Sequence, residues 1–239
     1  MDNASERFVP CSERELGGSQ TFSTTGTFSD VLHYLLNKVN IALIMNKFLD
    51  TNILDRAIIF AVNAHHNTER RGKGFPYIVH PLEAVEIVAT ITPDQELLAA
   101  AALHDTIEDT DVTVSDIRRE FGDRIADLVY AESDRFTEGV SEADSWHDRK
   151  QAAIDRLAAA SYDAKIVAMG DKLSNMRAIY RDYMQKGDDL WSIFHVTDKA
   201  SHEWHYRSLA ASLSDLSHTF AYKEFIGLIE VVFAKYQVR

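Results

Sequence analysis

From Val31 to the C-terminus, apolar residues recur three and four positions apart, and no stretch alternates apolar with polar residues for the length of a strand. That spacing confines the chain to helices packed on helices. Only 10 Gly and 4 Pro occur in 239 residues, too few for the turns of an all-β protein. The pattern predicts helices over 53–67, from near Pro81, from Pro93-Asp94 toward Thr106, and over 115–121, 123–132, 146–160, 163–183, 197–213 and 220–237. The polar, acidic stretch 133–145 reads as a loop. Residues 1–27, rich in Ser, Thr and Gly, read as a mobile tail. Residues 28–50 read as a helical extension, and 51–239 as the main domain. Met45 opens a second natural start, and one reading of 1–44 is an appended or mis-annotated extension.

Composition narrows the function. With 46% hydrophobic and 26% charged residues the chain can build a real core. Its formal charge of −12 argues against gripping nucleic acid or anionic membranes through a general basic surface. The single cysteine, Cys11, allows neither an internal disulfide nor a thiolate zinc site. A cytoplasmic setting fits, with no signal peptide at the polar N-terminus. The early apolar run 31–45 is interrupted by His33, Asn37, Lys38 and Asn40, and is too short and polar to span a bilayer.

Three clusters could carry chemistry. An Ala/Leu run ends in His104-Asp105-Thr106-Ile107-Glu108-Asp109-Thr110. On one continuous helix His104 and Glu108 would share a face, and Asp105 and Asp109 the adjacent one. Three carboxylates so close repel unless a cation or protons intervene; a solvated helix end with Asp109 and Asp111 as caps is the other reading. In Tyr77-Ile78-Val79-His80-Pro81, His80 falls at a helix N-cap position, where it could be a capping residue or a ligand. In Gly170-Asp171-Lys172-Leu173-Ser174-Asn175-Met176-Arg177, Asp171 and Asn175 stack one helical turn apart. Together His80, His104, Asp105 and Asp171 make a mixed nitrogen/oxygen metal site of the kind that helical bundles build. Such donors suit Mn²⁺, Fe²⁺ or Zn²⁺, and Mg²⁺ less well.

These segments resemble the HD superfamily of metal-dependent phosphohydrolases. Arg70-Arg71-Gly72 followed by Pro76-Tyr77-Ile78-Val79-His80-Pro81-Leu82, then His104-Asp105 with Glu108-Asp109-Thr110, then Gly170-Asp171-Lys172-Leu173-Ser174-Asn175, resemble the hydrolase domain of RelA/SpoT-type alarmone enzymes. The likeness is strongest to stand-alone small alarmone hydrolases, and covers about 51–215. It implies an all-α HD bundle of about ten helices, with one Mn²⁺ held by His80, His104, Asp105 and Asp171. It implies that Glu108 and Asp109 position and deprotonate the attacking water, and that Asn175 orients substrate or water. Arg70 and Arg71 would line the nucleotide pocket, and Lys199 and Arg207 would face the diphosphates; the last two fit solvent-exposed helix charges as well.

The implied reaction removes pyrophosphate from the 3′ position of ppGpp or pppGpp, giving GDP or GTP. The chain could thereby act as antidote to a toxin protein that synthesises alarmones. Alternatives are another 3′-phosphorylated nucleotide, the 2′-phosphate of NADPH, or a non-catalytic toxin-neutralising module. Neither a nucleic-acid polymer nor a membrane is expected as partner. Synthetase activity is not expected, because 216–239 reads as one helix rather than a second domain. Departures from the family pattern are Ala64-His65-His66-Asn67-Thr68, which lacks the usual glycine and glutamine, Arg71 for lysine, and Gly170 for alanine. His65 and His66 are expected to be exposed, and Trp146, Trp204 and Tyr206 to be core residues.

Overall fold

A computed structural model describes residues 52–70, 72–133 and 145–234. The expected tail, the helical extension, Arg71 and most of the 133–145 loop lie outside the described residues. The helices are α1 (Asn52–Ala64), α2 (Val79–Ala89), α3 (Gln95–Leu103), α4 (Thr106–Asp109), α5 (Val114–Phe121), α6 (Asp123–Glu132), α7 (Trp146–Ala158), α8 (Tyr162–Lys186), α9 (Lys199–Ser212) and α10 (Phe220–Phe233). Short 3₁₀ turns follow α8 (Gly187–Ile193) and α9 (Ser214–Leu216). Among the described residues there is no strand, only an isolated bridge between Glu69 and Pro76. The described residues therefore form the expected all-α bundle, and no helix among them is long and apolar enough to cross a membrane.

The Ala/Leu helix α3 occupies the centre, with Leu97 to Leu103 all buried. Its alanines keep it thin, so α1, α2, α6 and α8 can all pack against it. Asp94 caps it, accepting from the Glu96 amide at 2.9 Å. A capping box between Thr113 and Asp116 starts α5, and Ser161 caps α8. Arg124 on α6 pairs with Asp94 and Asp163 at 2.8 Å each and also with Glu96. One guanidinium thus ties the starts of α3 and α8, the two helices that lead to site residues.

The central helix does not run on as the sequence pattern suggests. It ends at Leu103, and the chain turns through His104 and Asp105 before α4 begins. The same-face relation expected of a continuous helix is therefore replaced by a corner. Nor does His80 cap its helix: Ile78 occupies that position and His80 lies inside the first turn of α2, buried.

The crossing of α2 and α8 explains Gly170. A Cβ built there would sit 2.8 Å from the Ala84 carbonyl oxygen and 2.9 Å from Val88 Cγ2. A carbonyl inside a helix cannot swing aside as a side chain can. Gly170→Ala is expected to gain about 1 kcal/mol in helix propensity and to lose about 1–3 kcal/mol to overpacking. The net expectation is a lowered melting temperature, measured by thermal unfolding of the two chains side by side.

Candidate metal centre

Three parts of the bundle bring the predicted ligands together, with His80, His104 and Asp171 mutually close and Asp105 beside both imidazoles. α2 supplies His80, the corner after α3 supplies His104 and Asp105, and the buried middle of α8 supplies Asp171. The two imidazole Nε2 atoms lie 3.3 Å apart. Asp105 Oδ2 is 3.0 Å from His104 Nε2 and 3.3 Å from His80 Nε2. Asp171 Oδ1 is 3.1 Å from His80 Nε2 and 3.6 Å from His104 Nε2. Donors bound at about 2.1 Å to one ion stand about 3.0 Å apart in octahedral and about 3.4 Å apart in tetrahedral geometry. Four of the five separations fall in that range, and the fifth, 3.6 Å between Asp171 and His104, lies just beyond it.

Burial disfavours charge on His104, yet Asp105 and Asp171 beside it hold its pKa well above the usual imidazole range. Burial likewise works against ionised Asp105 and Asp171. His104 and His80 nevertheless keep Asp105 well below the carboxylate range, and Lys172 with the same histidines does so for Asp171. A buried ring of lone pairs and anions calls for positive charge at its centre, and the donor set fits a divalent cation.

The surroundings hold each donor in place. Tyr77 donates its hydroxyl to Asp105 Oδ2 at 2.6 Å, and burial with that anion keeps the phenol protonated. The Arg70 guanidinium lies over the Tyr77 ring, 5.1 Å from its centroid. Lys172 donates to Asp171 Oδ2 at 2.5 Å and to the buried Glu132 at 3.2 Å. Asn175 donates to Asp171 Oδ1 at 2.5 Å, as one-turn stacking predicts, and accepts from Arg70 at 2.5 Å. Arg70 is delivered by a tight loop in which Gly72 and Gly74 adopt φ of 68° and 71°, the left-handed region that favours glycine. His80, Asp105 and Asp171 line a cavity of about 870 Å³, whose walls also carry Glu108, Asp109, Arg70 and Asn175.

A family model described as HD domain matches residues 57–195, more than half of the chain and the whole span from His80 to Asp171. The chain belongs to the HD-domain family. It is 33% identical over 135 residues to the zebrafish guanosine-3′,5′-bis(diphosphate) 3′-pyrophosphohydrolase MESH1, a match covering 55% of this chain and 71% of that protein. It is 35% identical over 134 residues to a Vibrio cholerae protein of the same enzymatic name, covering 53% of this chain. The chain spans less than a fifth of the length of the bacterial relatives, 18% in the Vibrio cholerae and Aquifex aeolicus proteins. A Listeria monocytogenes crystal structure superposes with TM-score 0.57 at 27% identity, over 68% of this chain and 98% of that one. A structure reported as a metazoan SpoT orthologue that hydrolyses ppGpp superposes with TM-score 0.58 at 20% identity, over 77% of this chain and 97% of its own, a likeness of fold.

This HD domain distributes the remaining expected residues unevenly. Lys199 donates to Asp188 at 2.7 Å and lies over the Tyr183 ring, and Arg207 pairs with Glu203 and Glu230. Neither is among the residues lining the cavity, whereas Lys150 and Arg156 of α7 are. His66 is exposed as expected, but His65 is buried, its ring 4.7 Å from that of Tyr77 and its pKa lowered by burial. Trp146 and Tyr206 line the cavity while packing in an aromatic seam; Trp204 stacks on His147 at 4.3 Å. His205 in the same wall is kept neutral, burial pushing its pKa down to about 3. Tyr77, Lys172 and Glu132 escape a sequence reading of ligands. Tyr77 and Lys172 do, however, adjoin ligands inside the quoted motifs.

Proposed function

We propose that the chain is an Mn²⁺-dependent phosphohydrolase that removes pyrophosphate from the 3′ position of ppGpp or pppGpp. The observation that carries this reading is the grouping of His80, His104 and Asp171, with Asp105 beside both imidazoles, next to a cavity that Glu108 and Asp109 also line. The relative of which the chain covers 71% bears the name of that activity, which supports the substrate class.

His80, His104, Asp105 and Asp171 would hold the cation, which when bound supplies Lewis acidity and positive charge beside the phosphoryl group. Glu108 and Asp109, one residue apart on α4, orient the attacking water and accept its proton as the pyrophosphoryl group passes from the 3′ oxygen to water. Arg70 offers a planar, fixed charge to the nucleotide, and Asn175 couples it to Asp171. Lys150 and Arg156 add positive potential to the cavity wall. In the cytoplasm such an enzyme would also neutralise an alarmone-synthesising toxin, a partner that co-expression would reveal as restored growth.

Incubation of the purified chain with ppGpp, pppGpp, NADPH and nucleoside monophosphates tests the reading. With Mn²⁺, release of pyrophosphate with GDP or GTP is expected, and chelation should abolish it. Cleavage of another nucleotide with ppGpp left intact would overturn the substrate assignment.

A further inference from the structure

Behind His80, on the side away from the other donors, runs a second hydrogen-bonded chain. The Oγ of Ser174, buried on α8, lies 2.8 Å from His80 Nδ1. The same hydroxyl donates to Glu83 Oε2 at 2.7 Å. Glu83 stands three residues after His80 on α2, one turn along the same face. Its other oxygen faces the guanidinium groups of Arg177 and Arg181 at 3.5 and 3.6 Å.

The order of donors and acceptors fixes the protons. A carboxylate oxygen can only accept, so the Ser174 hydroxyl proton is committed to Glu83. Only lone pairs of Ser174 then remain for His80, so Nδ1 carries the imidazole proton. In the neutral ring, the form that ligates a metal, Nε2 then has its lone pair facing the other donors. His104 fixes its Nδ1 proton differently, donating it to the Ala101 carbonyl at 2.8 Å. One imidazole is therefore set by the backbone of its own helix, which no substitution removes. The other depends on two side chains, from α2 and α8.

We propose that Ser174 and Glu83 are positioning residues that hold His80 as its Nδ1–H tautomer, with Nε2 facing the cation, and thereby set the metal affinity of the site. This rests on the metal-binding part of the function proposed above, and not on the identity of the substrate. Outer hydrogen bonds of this kind typically change metal affinity 10–100-fold. A purely structural Ser174 would instead affect stability and leave both tautomer and affinity unchanged.

The test uses the full chain stripped of metal, titrated calorimetrically with Mn²⁺, and nitrogen NMR of its histidine rings after loading with diamagnetic Zn²⁺. Ser174→Ala should weaken Mn²⁺ binding about 10–100-fold and abolish the protected His80 Nδ1–H signal. Glu83→Ala should weaken binding less, and Glu83→Gln should restore it, because an amide oxygen still accepts the hydroxyl proton. Wild-type affinity with an unchanged His80 signal in Ser174→Ala overturns the proposal. Should Ser174→Ala fail to fold, wild-type affinity in Glu83→Ala overturns it equally. A wild-type chain that binds neither metal sinks the proposal together with the metal reading. A chain that binds metal but spares ppGpp sinks only the substrate assignment.

Discussion

Asp105→Ala should eliminate Mn²⁺ binding and bring turnover down to background. Asp105 Oδ2 stands 3.0 and 3.3 Å from the two imidazole Nε2 atoms, so its loss removes one of the two anions that both histidines face. It also leaves the Tyr77 hydroxyl without its 2.6 Å acceptor. The fold should survive, because the Asp105 side chain lines a cavity and is not part of the apolar core. Metal content by elemental analysis, far-ultraviolet circular dichroism and pyrophosphate release check the three parts separately. Full metal occupancy in the variant would show that the other three donors suffice.

Glu108→Gln should separate chemistry from metal binding. Glu108 is exposed on α4 and lines the cavity, outside the ring of four donors. A glutamine keeps its size and hydrogen bonding but cannot take a proton from water. Turnover is expected to fall about 10²–10⁴-fold, the usual contribution of a general base, while metal stoichiometry stays at the wild-type value. Loss of metal from this variant would make Glu108 a ligand and reassign the base to Asp109 alone.

How much of this was legible in the sequence depends on the range of the interaction concerned. Helix α6 was readable to the residue at both ends, because Gly122 before it and the polar stretch after Glu132 are local signals. The break between α3 and α4 was not. Helical spacing continues straight through His104 and Asp105, and the corner comes from tertiary contacts at the site that periodicity does not register. His80, His104, Asp105 and Asp171 could be singled out because ionisable residues inside apolar helices need partners. Their partners were harder: Ser174 meets Glu83 across 91 residues and Lys172 meets Glu132 across 40. No pattern within one helix encodes such a meeting. Lys199 and Lys150 illustrate the same limit, since exposure and cavity lining depend on how α7 and α9 pack.

The donors come from three separate parts of the bundle, so a cation held by them would have a second role, as a cross-link. An unfolded chain cannot hold His80, His104 and Asp171 together without closing two long loops, and closing them costs entropy. A bound ion would therefore favour the native state almost exclusively, and its binding free energy would become conformational stability. At a hundred times its dissociation constant that amounts to about 2.7 kcal/mol, a large share of what holds a domain of this size together. Metal supply would then govern not only how fast the protein works but how long it lasts.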